Sequence, residues 1–264
     1  MPSPRMSLTS FVNRPDIRAR LCEEFPKPRI ETDRKLLAPP RSKRHSLVGT
    51  AFDYLLRFYL QRLNPRARER PWVAERGFEK LAIQTTGEMI YDIDAEELSF
   101  PDDNGAVTTG RRILHRARAA QQRYIASGSI TDSLLESVIG LAQLDTVYRA
   151  GFVDENLGVA HREDMRDLRK LISLVNPSEF RARKMCLLNP NFGAGSRLIG
   201  GADADLFIDG TLIDVKVTKN MELTRDHFNQ LLTPTRDSRC SAIPTKSRVH
   251  LDRHRGEAAP IPSC

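Results

Sequence analysis

Residues 201–216 constrain the fold more than any other stretch, because they predict a β-hairpin that closes in two residues. Asp209 and Gly210 are the turn signal, since a type I′ turn needs positive φ at both central residues and glycine adopts positive φ without steric cost. A turn at that point places Asp205 directly opposite Asp214. The register of the whole hairpin therefore follows from two residues.

The predicted register gives the hairpin one acidic and one apolar face, because side chains alternate between the two faces of a strand. The acidic face comprises Asp203, Asp205, Phe207, Leu212, Asp214 and Lys216, with Asp203 opposite Lys216. The other face comprises Ala204, Leu206, Ile208, Ile213, Val215 and Val217. A wholly apolar face of this size must pack on a core, so the hairpin is predicted to belong to the main sheet.

The two opposed carboxylates predict a metal site. The Cβ atoms of directly opposite residues lie only about 5 Å apart, so Asp205 and Asp214 repel each other unless a cation lies between them. Two carboxylate oxygens completed by waters suit Mg²⁺ or Mn²⁺. Lys216 follows Asp214 by two residues and is expected to point the same way, toward a water or a phosphate oxygen. This layout is typical of metal-assisted phosphodiester hydrolysis.

The hairpin resembles the active-site motif of the PD-(D/E)xK nuclease superfamily, whose fold is restriction-endonuclease-like. In that motif an acid precedes an apolar run and a short turn, after which (D/E)-x-K follows. Asp205 matches the first acid, and Asp214 and Lys216 match the (D/E)-x-K pair, whereas Ala204 replaces the proline. RecB-like members often have Gly-x-x-Asp here, which makes Asp203 an alternative first acid, but the hairpin register favours Asp205.

Two flanking segments also resemble RecB-like members. Residues 46–58 resemble their first core helix, and Asp53 stands where that helix often carries a histidine. Residues 224–232 resemble the helix after the catalytic strand, which often carries Gln-x-x-x-Tyr. Gln230 matches the glutamine, but Pro234 replaces the tyrosine.

The resemblance implies a Mg²⁺- or Mn²⁺-dependent nuclease that acts on DNA. The metal would polarise the scissile phosphate and lower the pKa of the attacking water. The lysine would position that water or neutralise charge that develops on the phosphate. The implied catalytic residues are Asp205, Asp214, Lys216 and Gln230, the implied metal ligands are Asp205, Asp214, the Val215 carbonyl and Asp53, and the implied substrate contacts are Asp203 and Lys219.

Each of these residues also fits a simpler role. An Asp-x-Lys on a strand is common at a solvated edge. Asp53 is spaced to pair with Arg57 one helical turn later, Asp203 fits a cross-strand partner of Lys216, and Gln230 fits a helix surface. The alternative function is a catalytically inactive or truncated nuclease-fold protein that binds nucleic acid.

The remaining chain predicts a mixed α/β protein with a restriction-endonuclease-like core, a mixed sheet flanked by helices. Residues 1–45 predict a basic, loosely ordered arm, and residues 46–232 predict the core, with a large helical insertion at about 107–175. Residues 233–264 are basic and offer no apolar run, so they predict a disordered tail in which the C-terminal strand of the fold is missing or diverged.

Helix signals inside the insertion are clear. Thr131 is predicted to cap a helix that ends at Gly151, and Pro177 is predicted to close a second helix that carries Met165 to Val175 at helical spacing.

Charge supports a polyanionic partner. The 264 residues carry a net charge of +7. The excess is +6 in residues 1–45 and +3 in residues 233–264, which leaves −2 for the region between them. The basic flanks therefore favour a DNA partner. The four widely spaced cysteines argue against a CxxC zinc site or an iron–sulfur cluster, and the absence of a long apolar stretch predicts a soluble cytoplasmic protein with no membrane partner.

Overall fold

The protein divides into two compact units. The computed structural model describes residues 8–26, 38–87, 105–190, 204–217, 225 and 246–251. The helical unit comprises Ala38–Pro65 and Pro71–Glu179, and the sheet unit comprises the described parts of Met1–Leu37, Arg66–Arg70 and Phe180–Cys264. Together they form a mixed α/β protein, as the sequence predicts.

The described part of the chain contains eight helices and five strands, each numbered in chain order. The helices are α1 (Leu8–Val12), α2 (Pro15–Glu24), α3 (His45–Leu63), α4 (Val73–Thr86), α5 (Ala106–Ser127), α6 (Asp132–Ala150), α7 (Arg162–Ile172) and α8 (Pro177–Phe180). The strands are β1 (Arg68–Glu69), β2 (Cys186–Leu188), β3 (Leu206–Ile208), β4 (Thr211–Lys216) and β5 (Lys246–Leu251). Helices α3 to α7 belong to the helical unit, and all five strands belong to the sheet unit.

Helix α6 forms the centre of the helical unit. Twelve of its 19 residues are buried, so it lacks the broad polar face of a surface helix. It packs against α3, α4, α5 and α7. Thr131 caps its N-terminus by accepting a hydrogen bond from the Leu134 N–H (3.2 Å), and Gly151 ends it with φ 69°. Both predicted ends of this helix are confirmed.

The grouping of the helices differs from the predicted organisation. The sequence assigns residues 46–63 to the nuclease-like core and limits the helical insertion to about 107–175. In the structure α3 packs against α5, α6 and α7, so it belongs with α4 to the helical unit. Helix α7 begins at Arg162 and ends at Ile172, a few residues before the predicted end at Pro177.

The sheet unit contains a mixed five-stranded sheet in the order β1-β2-β3-β4-β5. Strands β2, β3 and β4 are antiparallel neighbours, whereas β1 runs parallel to β2 and β5 runs parallel to β4. The hairpin of β3 and β4 has the predicted register, with Phe207 opposite Leu212. Asp209 has φ 46° and Gly210 has φ 88°, the positive values that a type I′ turn requires.

Both faces of the hairpin are largely buried, which is typical of a strand pair inside a sheet that is covered on both sides. Leu206, Ile208 and Ile213 are buried on the predicted apolar face. On the other face Phe207 and Leu212 form a buried cluster with Ala204 and the partly buried Leu187. The predicted face of Ala204 is wrong, because the chain bends at Asp205 and the alternation of side chains stops there.

The arm predicted to be loosely ordered contains two helices, α1 and α2. Pro15 occupies the first turn of α2, where its missing N–H costs no hydrogen bond. Val12 and Leu21 are buried, and Phe11, Ile17 and Phe25 pack against them. Five apolar side chains at helical spacing therefore order a segment whose overall composition indicates an extended arm.

The tail, in which the C-terminal strand is predicted to be missing or diverged, contains β5, which pairs with the full length of β4. The alternative of a missing strand is therefore wrong, whereas the alternative of a diverged sequence fits β5. Strand pairing depends on backbone N–H and C=O groups, which every non-proline residue supplies, so an edge strand can form without an apolar run.

Candidate functional site

Asp205 lies at the bend before β3 and holds the open end of the hairpin together. Its Oδ2 accepts a hydrogen bond from the Val215 N–H at 2.6 Å. Its carbonyl accepts a hydrogen bond from the Asn189 N–H at 2.8 Å, beside the end of β2. The carboxylate thus takes the place of a backbone acceptor just before β3 begins, and it lies next to the Asp214–Val215 peptide.

Strand β4 supplies the other residues of the candidate site. Asp214 is half-buried within this strand, and Lys216 is its last residue. The N–H and C=O of one strand residue point to the same edge of the strand, and the Val215 N–H points to Asp205. The Val215 carbonyl therefore points to that edge as well, so the backbone of β4 presents an oxygen on the side where Asp205 lies.

Asp209 is the third carboxylate of the hairpin, and it lies at the turn, away from the candidate site. It accepts hydrogen bonds from the N–H groups of Arg183, Lys184 and Met185 at 2.5, 2.8 and 2.8 Å. These backbone hydrogen bonds lower the pKa of Asp209 below its ordinary value. The sequence indicates the turn at Asp209 but gives no signal for its partners, which are more than 20 residues away.

Asp53, the predicted third metal ligand, lies on α3 in the helical unit. Its Oδ2 lies 2.7 Å from Nη2 of Arg57, which is the helical pair that the sequence offers as the simpler role. Arg57 is 1% exposed, and its guanidinium lies 4.2 Å from the centre of the Tyr54 ring. The two acids of the hairpin belong to the sheet unit. The contacts of Asp53 in the structure are therefore those of a helix-stabilising ion pair.

Tyr54 and Asp145 form a buried polar link that the sequence does not predict. The Tyr54 hydroxyl donates to Asp145 Oδ2 (3.1 Å) and accepts from the Ala74 N–H (3.1 Å). Burial and the Asp145 charge raise the pKa of Tyr54 well above its ordinary value. Asp145 also accepts a hydrogen bond from Arg149. The sequence feature that could have indicated this link is the acidic residue Asp145 inside the apolar run of α6. The link connects α3, α4 and α6.

Several predicted site residues lie outside the described part of the chain. These are Asp203, Lys219, Gln230 and the side chain of Lys216. Within the predicted helix 224–232, only Arg225 is described, and it is helical. Its guanidinium donates to the carbonyls of Phe25 (2.6 Å) and Leu21 at the C-terminal end of α2, where a cation is favourable.

Neither the described side chains nor comparisons with known proteins assign a function to the candidate site. Within the described ranges, no group of three or more His, Cys, Asp or Glu side chains is arranged to bind a metal. None of the helices in the described ranges has the length and apolarity needed to cross a membrane. No protein-family model, no curated protein and no solved structure matches the chain.

Proposed function

We propose that the sheet unit is a metal-dependent nuclease with a restriction-endonuclease-like core, and that it hydrolyses DNA phosphodiester bonds at Asp205, Asp214 and Lys216. The observation that carries the proposal is the hairpin, which has the register required by the motif and binds the Asp205 carboxylate at the Asp214–Val215 peptide. Strand β5 supports the fold, because the family needs a further strand after the catalytic one and β5 extends β4 in parallel.

The donor set of the hairpin fits Mg²⁺ or Mn²⁺. Asp205, Asp214 and the Val215 carbonyl are hard oxygen donors, and Mg²⁺ commonly takes one or two carboxylates and keeps several waters. The hydrogen bond from the Val215 N–H orients the Asp205 carboxylate, as outer hydrogen bonds orient metal ligands in general. A carboxylate oxygen that accepts one hydrogen bond still has a lone pair for a metal.

The ion and the residues of the proposed site have separate roles in the reaction. When bound, the ion supplies electrophilic activation of the phosphate and lowers the pKa of the attacking water. Lys216 positions that water or neutralises charge that develops on the phosphate. Gln230 orients Lys216 or a phosphate oxygen. Asp53 is left out of the proposed site, because its carboxylate is paired with Arg57.

Cleavage assays on linear, nicked and single-stranded DNA with Mg²⁺, Mn²⁺ or EDTA test the proposal. We expect Asp214→Asn and Lys216→Ala to lower the cleavage rate by about 10²–10³-fold, the usual cost of losing a group that stabilises transition-state charge. Asp209→Asn is the matched control, because it makes the same change in the same hairpin but at the turn. It should cleave like the wild type under conditions in which all the proteins are folded.

Two results would contradict the nuclease proposal. Wild-type cleavage by Asp214→Asn would exclude the hairpin as the active site. DNA binding without cleavage under any metal condition would instead favour the alternative function, a nuclease-fold protein that binds nucleic acid.

A further inference from the structure

Helix α5 carries a one-sided row of positive charge. Its 22 residues include five arginines and one histidine but no acidic residue. Arg112, Arg116 and Arg123 are exposed, and so is His115. At about 100° per residue, the three arginines lie within about 40° of one another around the helix axis. We call these four residues the arginine face of α5.

The opposite side of α5 is used for packing. Its large apolar side chains are buried apart from Ile125 at the C-terminal end, and the buried ones are Val107, Ile113, Leu114 and Tyr124. The helix packs against α3, α4 and α6. A helix that binds a lipid surface must insert an apolar face, and α5 has already buried its apolar face. The arginine face therefore fits a polar, negatively charged partner.

Among the described residues, the arginines of this face lack the carboxylate partners that several other arginines of the helical unit have. In the described part of the chain, Arg112, Arg116 and Arg123 form no ion pair, although Arg112 donates a hydrogen bond to Thr109 Oγ1 (3.3 Å). Five other arginines of this unit pair with carboxylates, namely Arg44, Arg57, Arg118, Arg149 and Arg169. A row of unneutralised cations creates a positive potential that attracts polyanions.

We propose that the arginine face of α5 binds the phosphate backbone of double-stranded DNA. This inference deepens the proposed function and rests on it for the choice of DNA as the partner. Arginine forks match phosphate oxygens in a bidentate geometry. From Arg112 to Arg123 the helix extends about 16 Å, which corresponds to about five phosphates of one strand at 3.4 Å each.

A duplex fits the face better than a single strand. Proteins that bind single strands without sequence preference stack bases on exposed aromatic rings, and the one aromatic residue of α5, Tyr124, is buried. Contacts to phosphates position DNA but do not read its sequence, so the proposed binding is independent of sequence.

The chain itself contains a competing polyanion. Residues 88–104, directly before α5, include seven acidic residues and no basic residue. If those acids neutralise the arginine face, removing the arginines would lower thermal stability and would not weaken DNA binding. That result would overturn the proposal.

Fluorescence anisotropy with a labelled blunt duplex, measured in EDTA over a range of salt concentrations, tests the proposal without cleavage. The test variant combines Arg112→Ala, Arg116→Ala and Arg123→Ala. We expect its affinity to fall at least tenfold. We also expect the slope of log Kobs against log salt to become shallower by about 2–3, since each lost phosphate contact removes about 0.9. A single strand of the same length should bind more weakly to the wild type than the duplex does.

The matched control removes three exposed charges from α7 in the same unit, with Arg162→Ala, Arg166→Ala and Lys170→Ala. It should bind like the wild type, and an equal loss of affinity would mean that only net charge matters. A second test variant replaces the same three α5 arginines with glutamine, which is also a strong helix former, so that α5 stays folded. Unchanged affinity and an unchanged salt slope in this variant would refute the proposal.

The hairpin variant Asp214→Asn separates this inference from the proposed function. It should keep wild-type affinity for the duplex in EDTA even if it cleaves nothing. If it loses duplex binding while the α5 variants keep theirs, the hairpin is the binding surface and the assignment to α5 is wrong.

Discussion

The Asp209 carboxylate joins the hairpin turn to the chain that enters β2, because three consecutive backbone N–H groups donate to it. Its positive φ suits an aspartate, a residue type that tolerates the left-handed region better than most. Such a carboxylate acts locally as a fixed negative charge. Its contribution to stability therefore depends on its ionisation.

We predict that Asp209→Asn lowers the free energy of unfolding by about 1 kcal/mol at pH 7, since asparagine tolerates the backbone conformation but accepts more weakly. The folded-state pKa of Asp209 is lowered, so its charge stabilises the fold above the ordinary value of 3.8 and this effect is lost as the pH falls through the folded-state value. Urea unfolding from pH 7 downward should show the difference from the wild type shrinking only below about pH 4. A difference independent of pH would contradict this role.

Asp205 shows at the same scale what the sequence can and cannot predict. The turn at Asp209 and Gly210 sets the hairpin register, because a two-residue turn leaves no freedom in the pairing. The bend at Asp205 and the hydrogen bond of its carboxylate to the Val215 N–H depend on where β3 begins. Nothing local in the chain marks that point, so the position of the carboxylate could not be predicted.

Among the helices, the close contact between α4 and α6 depends on one residue, Gly77. A Cβ on Gly77 would lie 1.9 Å from the Leu144 carbonyl oxygen, which belongs to the backbone of α6. A backbone atom cannot rotate away as a side chain can. The distance between these two helices therefore requires glycine at this position.

We predict that Gly77→Ala lowers the free energy of unfolding by about 3 kcal/mol, at the upper end of the usual cost of overpacking, because the helices must move apart and lose packing. Gly110→Ala is the control. Its Cβ would meet the Phe78 ring at 2.9 Å, where a side chain can shift, and alanine gains helix propensity of about 1 kcal/mol. Denaturant unfolding should rank the two variants clearly, and equal losses would mean that helix spacing does not depend on Gly77.

The elements that the sequence predicts well are those with local signals. The limits of α6 follow from Thr131 and Gly151, which act within one helical turn. Strand β5 and the link between Tyr54 and Asp145 depend on partners far along the chain. The composition of residues 246–251 and the spacing of α3 contain no information about those partners. Local physics therefore predicts the elements, whereas tertiary contacts decide their grouping.

At the scale of the whole molecule, the proposed metal site should link ion concentration to stability. An ion that binds only the folded state stabilises it by about 2.7 kcal/mol at 100 times its Kd. We predict that Mg²⁺ raises the melting temperature of the wild type and not that of Asp214→Asn. In the absence of metal, Asp214→Asn should be no less stable than the wild type, since the substitution removes a charge near Asp205.

Thermal melting of both proteins with Mg²⁺ and with EDTA checks this prediction, and Asp209→Asn is the control that should keep the Mg²⁺ shift. An equal shift in the wild type and in Asp214→Asn would mean that the ion binds elsewhere.

The division of the chain between the two units has a consequence for its biosynthesis. All residues of the helical unit precede Phe180, whereas the sheet unit combines residues before 38 and the short segment Arg66–Arg70 with residues after 179. At about 5–20 residues per second, translation of residues 180–264 takes on the order of 4–17 s. The helical unit can therefore begin to fold while the ribosome is still adding β2, β3 and β4. Helices α1 and α2 leave the ribosome before the helical unit, but Arg225, which binds the end of α2, is added only after that unit.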